Sequence, residues 1–401
     1  MLESAGGNFD DKIRQIYRER NARLFSKVGD QTAQGKWWLR AFWLLLVSLI
    51  SVSTSLIVVA KYYPSSATVT FLNKEKEINN LIVNEKLKNG VVIIFAKKVD
   101  ETTNIVENSY LVNRSLGGGL VLSSDGWVVT TSDVIKDINK KYVVGINSHS
   151  YDVEKIVKES GLPFVYLKIN ATGLPSFGFN DIGDVRLGDK VLSLAAGGQR
   201  NANDLRLTNI ASWQTVSESA GTQNLIQSSE KVSDYFTVSQ SLPVKFLGAP
   251  VVSNDNKVIG LVGQIGEEVN VVYPLHLVSP IIDDLFSSRD VYRPMFGVKY
   301  VDLNNLIIPN NQKSSIQQGA LITGGNVTGI EALRPATKAG LKNGDIILEV
   351  NGQKIDGTLS LSYQLYEFNP GATIAVTVLR GDSKLRFDVV LDKVTLKSVK
   401  F

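Results

Sequence analysis

At 401 residues, with 43% hydrophobic and 20% charged side chains, the chain reads as a folded protein of two or more domains and not as a disordered one. Its net charge of +4 is too weak for this length to argue for nucleic acid as a partner. It has no cysteine and only two histidines, His149 and His276, which excludes disulfide frameworks, thiol catalysis and a histidine-rich metal centre; no cofactor is expected.

Residues 41–60, AFWLLLVSLISVSTSLIVVA, are uncharged and mostly apolar. About 20 helical residues cross a hydrocarbon core of roughly 30 Å. Trp37, Trp38 and Trp43 at one end and Tyr62 and Tyr63 at the other suit the two membrane interfaces. The pattern predicts a single-pass anchor over 37–63. Lys12, Arg14, Arg18, Arg20, Arg23, Lys27, Lys36 and Arg40 precede the apolar run, so residues 1–36 are expected to stay cytoplasmic and the bulk of the chain to lie outside the cell membrane. The charged stretch before the run is too long for a cleaved signal peptide.

Residues 64–89 begin with a Pro/Ser linker and continue as NKEKEINNLIVNEKLK (73–88), where Ile78, Leu81, Ile82 and Glu85 predict a stalk helix. From Gly90 the texture changes. VVIIFAK, GLVLSS, WVVTTS, KYVVGI, FVYLKI, KVLSLA, LTNIAS, YFTVSQ, APVVSN, KVIGLVG and VNVVYPL follow one another, separated by turns such as SSDG, DIGD and SNDN. That rhythm predicts an all-β barrel or sandwich over 90–288. VIKDINK (134–140) reads as a helix capped by Asp133, and PLHLVSPIIDDLF (274–286) as a short amphipathic helix closing the domain. A second module occupies 292–395.

Several blocks carry a resemblance. LGGGLVLSSDGWVVTTSDVI (116–135), FNDIGDVRLGDKVLSLAAG (178–197) and APVVSNDNKVIGLVGQ (249–264) resemble, in order, the trypsin-like domain of the HtrA/DegP family. ALRPATKAGLKNGDIILEVNGQKI (332–355) is similar to the PDZ signature A-x-x-A-G-L-x-x-G-D-x-I-x-x-V-N-G. The resemblance covers about 90–393. It implies a trypsin-like double β-barrel and a C-terminal PDZ domain of α+β type, which, with the N-terminal transmembrane helix read from the apolar run, make the expected chain mainly β.

Carried over position by position, the family's catalytic histidine falls on Asp133, its carboxylate on Pro163 and its nucleophilic serine on Leu247. A carboxylate of ordinary acidity cannot take a serine proton efficiently at neutral pH. The chain is therefore expected to be a pseudoprotease. The apolar tip of SLPVKFLGAPVV (241–252), with Lys245 and Phe246 where the family has Gly and Asn, is expected to plug the cleft. His149 reads as a turn residue and His276 as a packing or capping residue. A Ser/Lys pair of Lys245 with Ser239 or Ser241 would need a desolvated lysine.

YRPMFGVKYVD (292–302) resembles the segment that opens bacterial PDZ domains of this family. The resemblance assigns Met295, Phe296, Gly297 and Val298 to the loop whose N–H groups hold a peptide's terminal carboxylate, and 358–368 to the helix beside the groove, with Leu361 and Leu365 facing the domain interior or pocket. Peptide or protein C-termini are the expected partners; occupation of the groove by the protein itself is the alternative. The expected function is membrane-anchored, non-catalytic peptide binding, as scaffold or regulator in extracytoplasmic quality control. Two alternatives stand beside it: an active endopeptidase with a rearranged site, and a non-catalytic subunit regulating an active HtrA-type protease. A homo-oligomer is also open, since trimers are common in the resembled family.

Overall fold

The β-branched runs after Gly90 fold as strands, and each pairs antiparallel with a neighbour. The computed structural model describes residues 14–16, 18–19, 42–48, 51, 85–99, 104–177, 185–197, 204–215, 225–287, 289–307, 318–323 and 334–401. It divides into two units, Met1–Leu81 and Ile82–Phe401. In the first, 42–48 is helical, with Phe42, Trp43, Leu44, Leu45 and Val47 exposed. Among the described residues no helix is long and apolar enough to cross a membrane. Most of the predicted anchor at 37–63, and the predicted stalk up to residue 84, lie outside the described residues. The stalk's last turn is the helix Glu85–Gly90.

In the second unit, β1 (Val91–Ala96), β2 (Gly117–Val121), β3 (Trp127–Thr131), β4 (Tyr142–Ile146), β5 (His149–Lys158) and β6 (Phe164–Ile169) run in the order β5-β4-β1-β2-β3-β6 and close through β5 on β6. A second closed barrel follows. It is built from β7 (Lys190–Ala195), β8 (Asp204–Thr215), β10 (Asp234–Val238), β11 (Pro250–Val252), β12 (Val258–Ile265) and β13 (Glu268–Pro274), in the order β10-β13-β12-β11-β7-β8. Strand β9 (Ile226–Ser228) lies between β8 and β10 in sequence but joins neither. Val92, Val128 and Val134 of the first barrel share one core with Phe236, Phe246 and Val262 of the second. The barrels are welded through apolar side chains.

Two local expectations are corrected. VIKDINK forms no helix: the Val134 and Ile135 N–H groups donate to the Thr131 carbonyl (both 3.1 Å) in one turn, and a separate turn follows at 137–140, closed by the Lys140 N–H on the Asp137 carbonyl at 3.4 Å. PLHLVSPIIDDLF is a 3-10 segment, Leu275–Ile281, before the α-helical turn Ile282–Phe286. Pro280 lies inside the first piece, lacks an N–H and favours the tighter geometry over a continuous α-helix.

The C-terminal module is a sheet of β15 (Lys299–Asp302), β16 (Ala320–Ile322), β17 (Ile346–Val350), β19 (Thr373–Arg380) and β20 (Ser383–Val390), with β18 (Gln353–Lys354) beside β17. Its entry strand β14 (Tyr292–Met295) pairs with its exit strand β21 (Asp392–Thr395). A last strand, β22 (Lys397–Lys400), returns to the first barrel and pairs with β5. The helix Leu361–Tyr366 starts at Ser360, whose side chain accepts from the Tyr363 N–H at 3.1 Å. One face, Leu361 and Leu365, enters the module's core. The other, Tyr363 and Tyr366, packs with Leu162, Val232 and Leu285 of the barrel unit.

Candidate functional site

The three positions of the expected catalytic cleft converge. Asp133 follows β3, and the neighbouring Ser132 N–H donates to the Pro163 carbonyl at 2.9 Å. Val134 reaches the loop after Leu247: a Cβ added to Gly248 would stand 3.0 Å from Val134 Cγ2 and 2.2 Å from the Gly118 carbonyl oxygen. Gly248 also has φ +73°, so both space and backbone demand glycine there.

The loop itself is a 3-10 turn, Val244–Phe246. Phe246 N–H donates to Pro243 O (2.9 Å), Leu247 N–H to Val244 O (3.0 Å), Gly248 N–H to Val262 O (2.8 Å) and Ala249 N–H to Phe246 O (2.9 Å). Phe246 and Leu247 are buried in the shared core, while Val244 stands 64% exposed. The tip is therefore split. Its last two side chains point inward, and Lys245 pairs with Asp204 on the surface, the two side chains 49% and 44% exposed. The Arg206 guanidinium covers the Phe246 ring at 5.9 Å from its centroid.

Asp133 does not cap a helix. Its Oδ2 accepts the Gln264 N–H at 3.0 Å, across 131 residues of sequence. Burial raises its carboxyl pKa above the ordinary value, an effect opposed by that hydrogen bond and by Lys136. A raised pKa in the folded state gives stability that is complete below the unfolded value of about 3.9 and is lost as pH rises through the folded one. Asp133→Asn keeps an oxygen for Gln264 without the charge. It is expected to raise the melting temperature at pH 7, with a gain that vanishes below about pH 4. Thermal melts of both proteins across that range check this; a gain independent of pH would contradict it.

The groove of the C-terminal module is filled. Strand β9 runs antiparallel to β15, with Lys299 opposite Ser228, Tyr300 opposite Gln227 and Val301 opposite Ile226. At its end the Glu230 carboxylate accepts from the N–H groups of Phe296 (3.1 Å) and Gly297 (2.7 Å), and Ser229 Oγ accepts from Val298 N–H (2.9 Å). The Ser229 N–H returns a bond to the Val298 carbonyl at 3.0 Å. Gly297 has φ +91°, and a Cβ there would lie 2.4 Å from Arg334 Cβ, so the loop needs glycine to turn its amides toward the carboxylate. Met295 is the last residue of β14 and is buried. Three consecutive main-chain donors thus converge on one carboxylate and one hydroxyl. Such a nest captures a peptide's terminal carboxylate, and the adjoining strand supplies the ladder for its backbone.

The comparisons agree with this geometry. Residues 117–261 match the trypsin-like peptidase domain family and residues 294–391 the PDZ domain family. The chain thus carries a trypsin-like peptidase domain followed by a PDZ domain, and in this arrangement it is similar to HtrA-type proteases. It is 22% identical over 303 residues to the serine endoprotease DegS of Haemophilus influenzae, covering 73% of this chain and 81% of that one. With DegS of Salmonella typhimurium it shares 24% over 316 residues, covering 76% and 83%. The solved structure of the HtrA-type protease AlgW with tripeptide superposes with a TM-score of 0.56 at 16% identity, over 79% of this chain and 97% of that chain.

Within this HtrA-like frame, His149 opens β5 after a tight turn at Asn147 and Ser148, exposed, its Nδ1 3.0 Å from the Asn147 carbonyl. His276 packs on Tyr363 of the PDZ helix, ring centroids 5.3 Å apart, in keeping with a packing residue. Ser239 takes part in main-chain pairing with Asn209: its N–H donates to the Asn209 carbonyl (2.9 Å) and its Oγ accepts the Asn209 N–H (3.3 Å). The residues that sequence reading missed are Ser229 and Glu230. The sequence signal for them is faint: an acid after two serines, with no apolar alternation to mark a strand.

Proposed function

We propose that this protein is a membrane-anchored, non-catalytic HtrA-like protein whose PDZ domain binds extended peptides or protein C-termini, as scaffold or regulator in extracytoplasmic protein quality control. The reading is supported above all by the loop at the nucleophile position. There a buried leucine replaces the hydroxyl, and the main-chain donors of residues 246–249 are spent on carbonyls of the protein, so the Leu247 N–H, the donor at the nucleophile position, is not turned toward an oxyanion. Asp133 offers an acid instead of an imidazole, and Pro163 offers no acid to orient a base. Lys245 is solvated and ion-paired, the opposite of the desolvated lysine that a Ser/Lys pair requires. The peptide-binding half draws on the converging amides of Phe296, Gly297 and Val298, and on AlgW, which has been solved with tripeptide and with decapeptide. Membrane anchoring rests on the apolar run at 41–60 and the cationic stretch before it.

The purified chain is expected to leave unfolded casein intact and to take up no fluorophosphonate label. Mass spectrometry of the labelled protein is the measurement. Stoichiometric modification of one serine would overturn the non-catalytic reading.

A further inference from the structure

We infer that residues 225–230 are a resident occupant of the PDZ groove, an internal arm that an incoming C-terminal peptide has to displace. The inference rests on the peptide-binding reading above and adds its regulation. The arm reproduces what a bound peptide would supply. It runs antiparallel to β15, with Ser228 opposite Lys299 beside the amide nest and Ile226 opposite Val301 away from it. It then places the Glu230 side-chain carboxylate and the Ser229 hydroxyl where the two oxygens of a terminal carboxylate would sit. The chain continues past Glu230, so the anion is a side chain imitating a chain end.

The mimic is held from behind as well. The Tyr366 hydroxyl of the groove helix donates to the Glu230 carbonyl at 2.6 Å, and Val232 N–H donates to the Gly161 carbonyl at 2.8 Å. Ser229 and Ser228 hydroxyls donate to the Glu230 carboxylate at 2.7 and 3.1 Å, fixing its rotamer. A competitor has an approach. A cleft of about 520 Å³ opens beside the carboxylate and is lined by Lys231, Lys299 and Arg334, with Glu230 the one acid among the described residues that line it. An external carboxylate entering there meets cations before it meets the nest. The affinity of a peptide for a groove already filled is lowered by the fraction of time the arm leaves it open.

The test uses the full chain and a fluorescent pentapeptide, Leu-Ile-Gln-Ser-Ser, with a free C-terminal carboxylate; the same peptide as its C-terminal amide is the control. It copies residues 225–229 and offers its own carboxylate in place of Glu230. Binding by polarisation is expected to tighten at least about tenfold in Glu230→Ala relative to wild type, since one charge-assisted hydrogen bond is worth that much or more. Glu230→Gln, which keeps an oxygen acceptor without the charge, is expected to fall between, and the amide to bind no variant. Hydrogen exchange of the Phe296, Gly297 and Val298 amides, read without any peptide, is expected to accelerate in Glu230→Ala. Equal affinity in wild type and Glu230→Ala, with unchanged exchange, would overturn the arm as a gate while leaving peptide binding intact. No binding by any variant, with exchange still accelerated in Glu230→Ala, would uphold the arm as the nest's occupant and overturn peptide binding, and with it displacement by peptides.

Discussion

Arg293→Ala is expected to cost about 3–5 kcal/mol of stability, the loss typical of stripping one partner from a buried ion pair. The Arg293 and Glu159 side chains are 1% and 0% exposed. Arg293 Nε lies 3.0 and 3.2 Å from the two Glu159 oxygens, and its terminal nitrogen is 2.6 Å from one of them. Tyr166 donates to the same carboxylate at 3.0 Å, and the guanidinium lies over the Tyr366 ring, 5.2 Å from its centroid. Burial, then the adjacent Glu159 charge, raises the Tyr166 phenol well above its ordinary pKa, so it remains a donor at neutral pH. Removing the arginine leaves a buried carboxylate with one neutral donor. Lysine cannot restore the forked geometry, whereas the pair Arg293→Met with Glu159→Leu is expected to recover most of the loss. Because Glu159 follows β5 of the first barrel and Arg293 opens the PDZ domain, the lesion is also expected to uncouple the two. Urea unfolding should show one transition in wild type and two in Arg293→Ala. A loss below about 1 kcal/mol, the range of an exposed pair, would refute the assignment of this contact as the domain weld.

Phe246→Ala is expected to cost about 3–5 kcal/mol as well, by cavity formation. The ring is fully buried, shares a core with Val134, Leu247 and Phe236, and is covered by Arg206. The cavity opens where a substrate cleft would stand, yet no hydrolysis is expected to appear, since the variant adds neither hydroxyl nor imidazole. Denaturant melts paired with a casein assay read both quantities. A marginal stability change would mean that the side chain is no plug.

The order of elements was legible in the sequence because most strands pair with sequence neighbours and stand as short, β-branched apolar runs between Gly- and Asp-rich turns. β5 escaped notice because a bulge between Val153 and Lys155 breaks its period and charged residues interrupt it. The Asp133 cap was misread because the donor its carboxylate found, Gln264 N–H, is supplied by tertiary structure. At the candidate site, the residues at the cleft positions and the amide nest could be placed by resemblance. The groove's occupant could not. Ile226–Ser228 pairs with a strand more than 70 residues later, and its polar sequence carries no period to announce it.

The short ladder between Lys397–Lys400 and β5 has a mechanical consequence. The polypeptide enters and leaves the PDZ domain side by side, through β14 and β21, and is then stitched into the first barrel. The domain is moored at both ends and does not dangle from one linker. A swinging motion would have to shear β22 off β5, so any message sent from the groove must travel by small sliding shifts along the mooring lines.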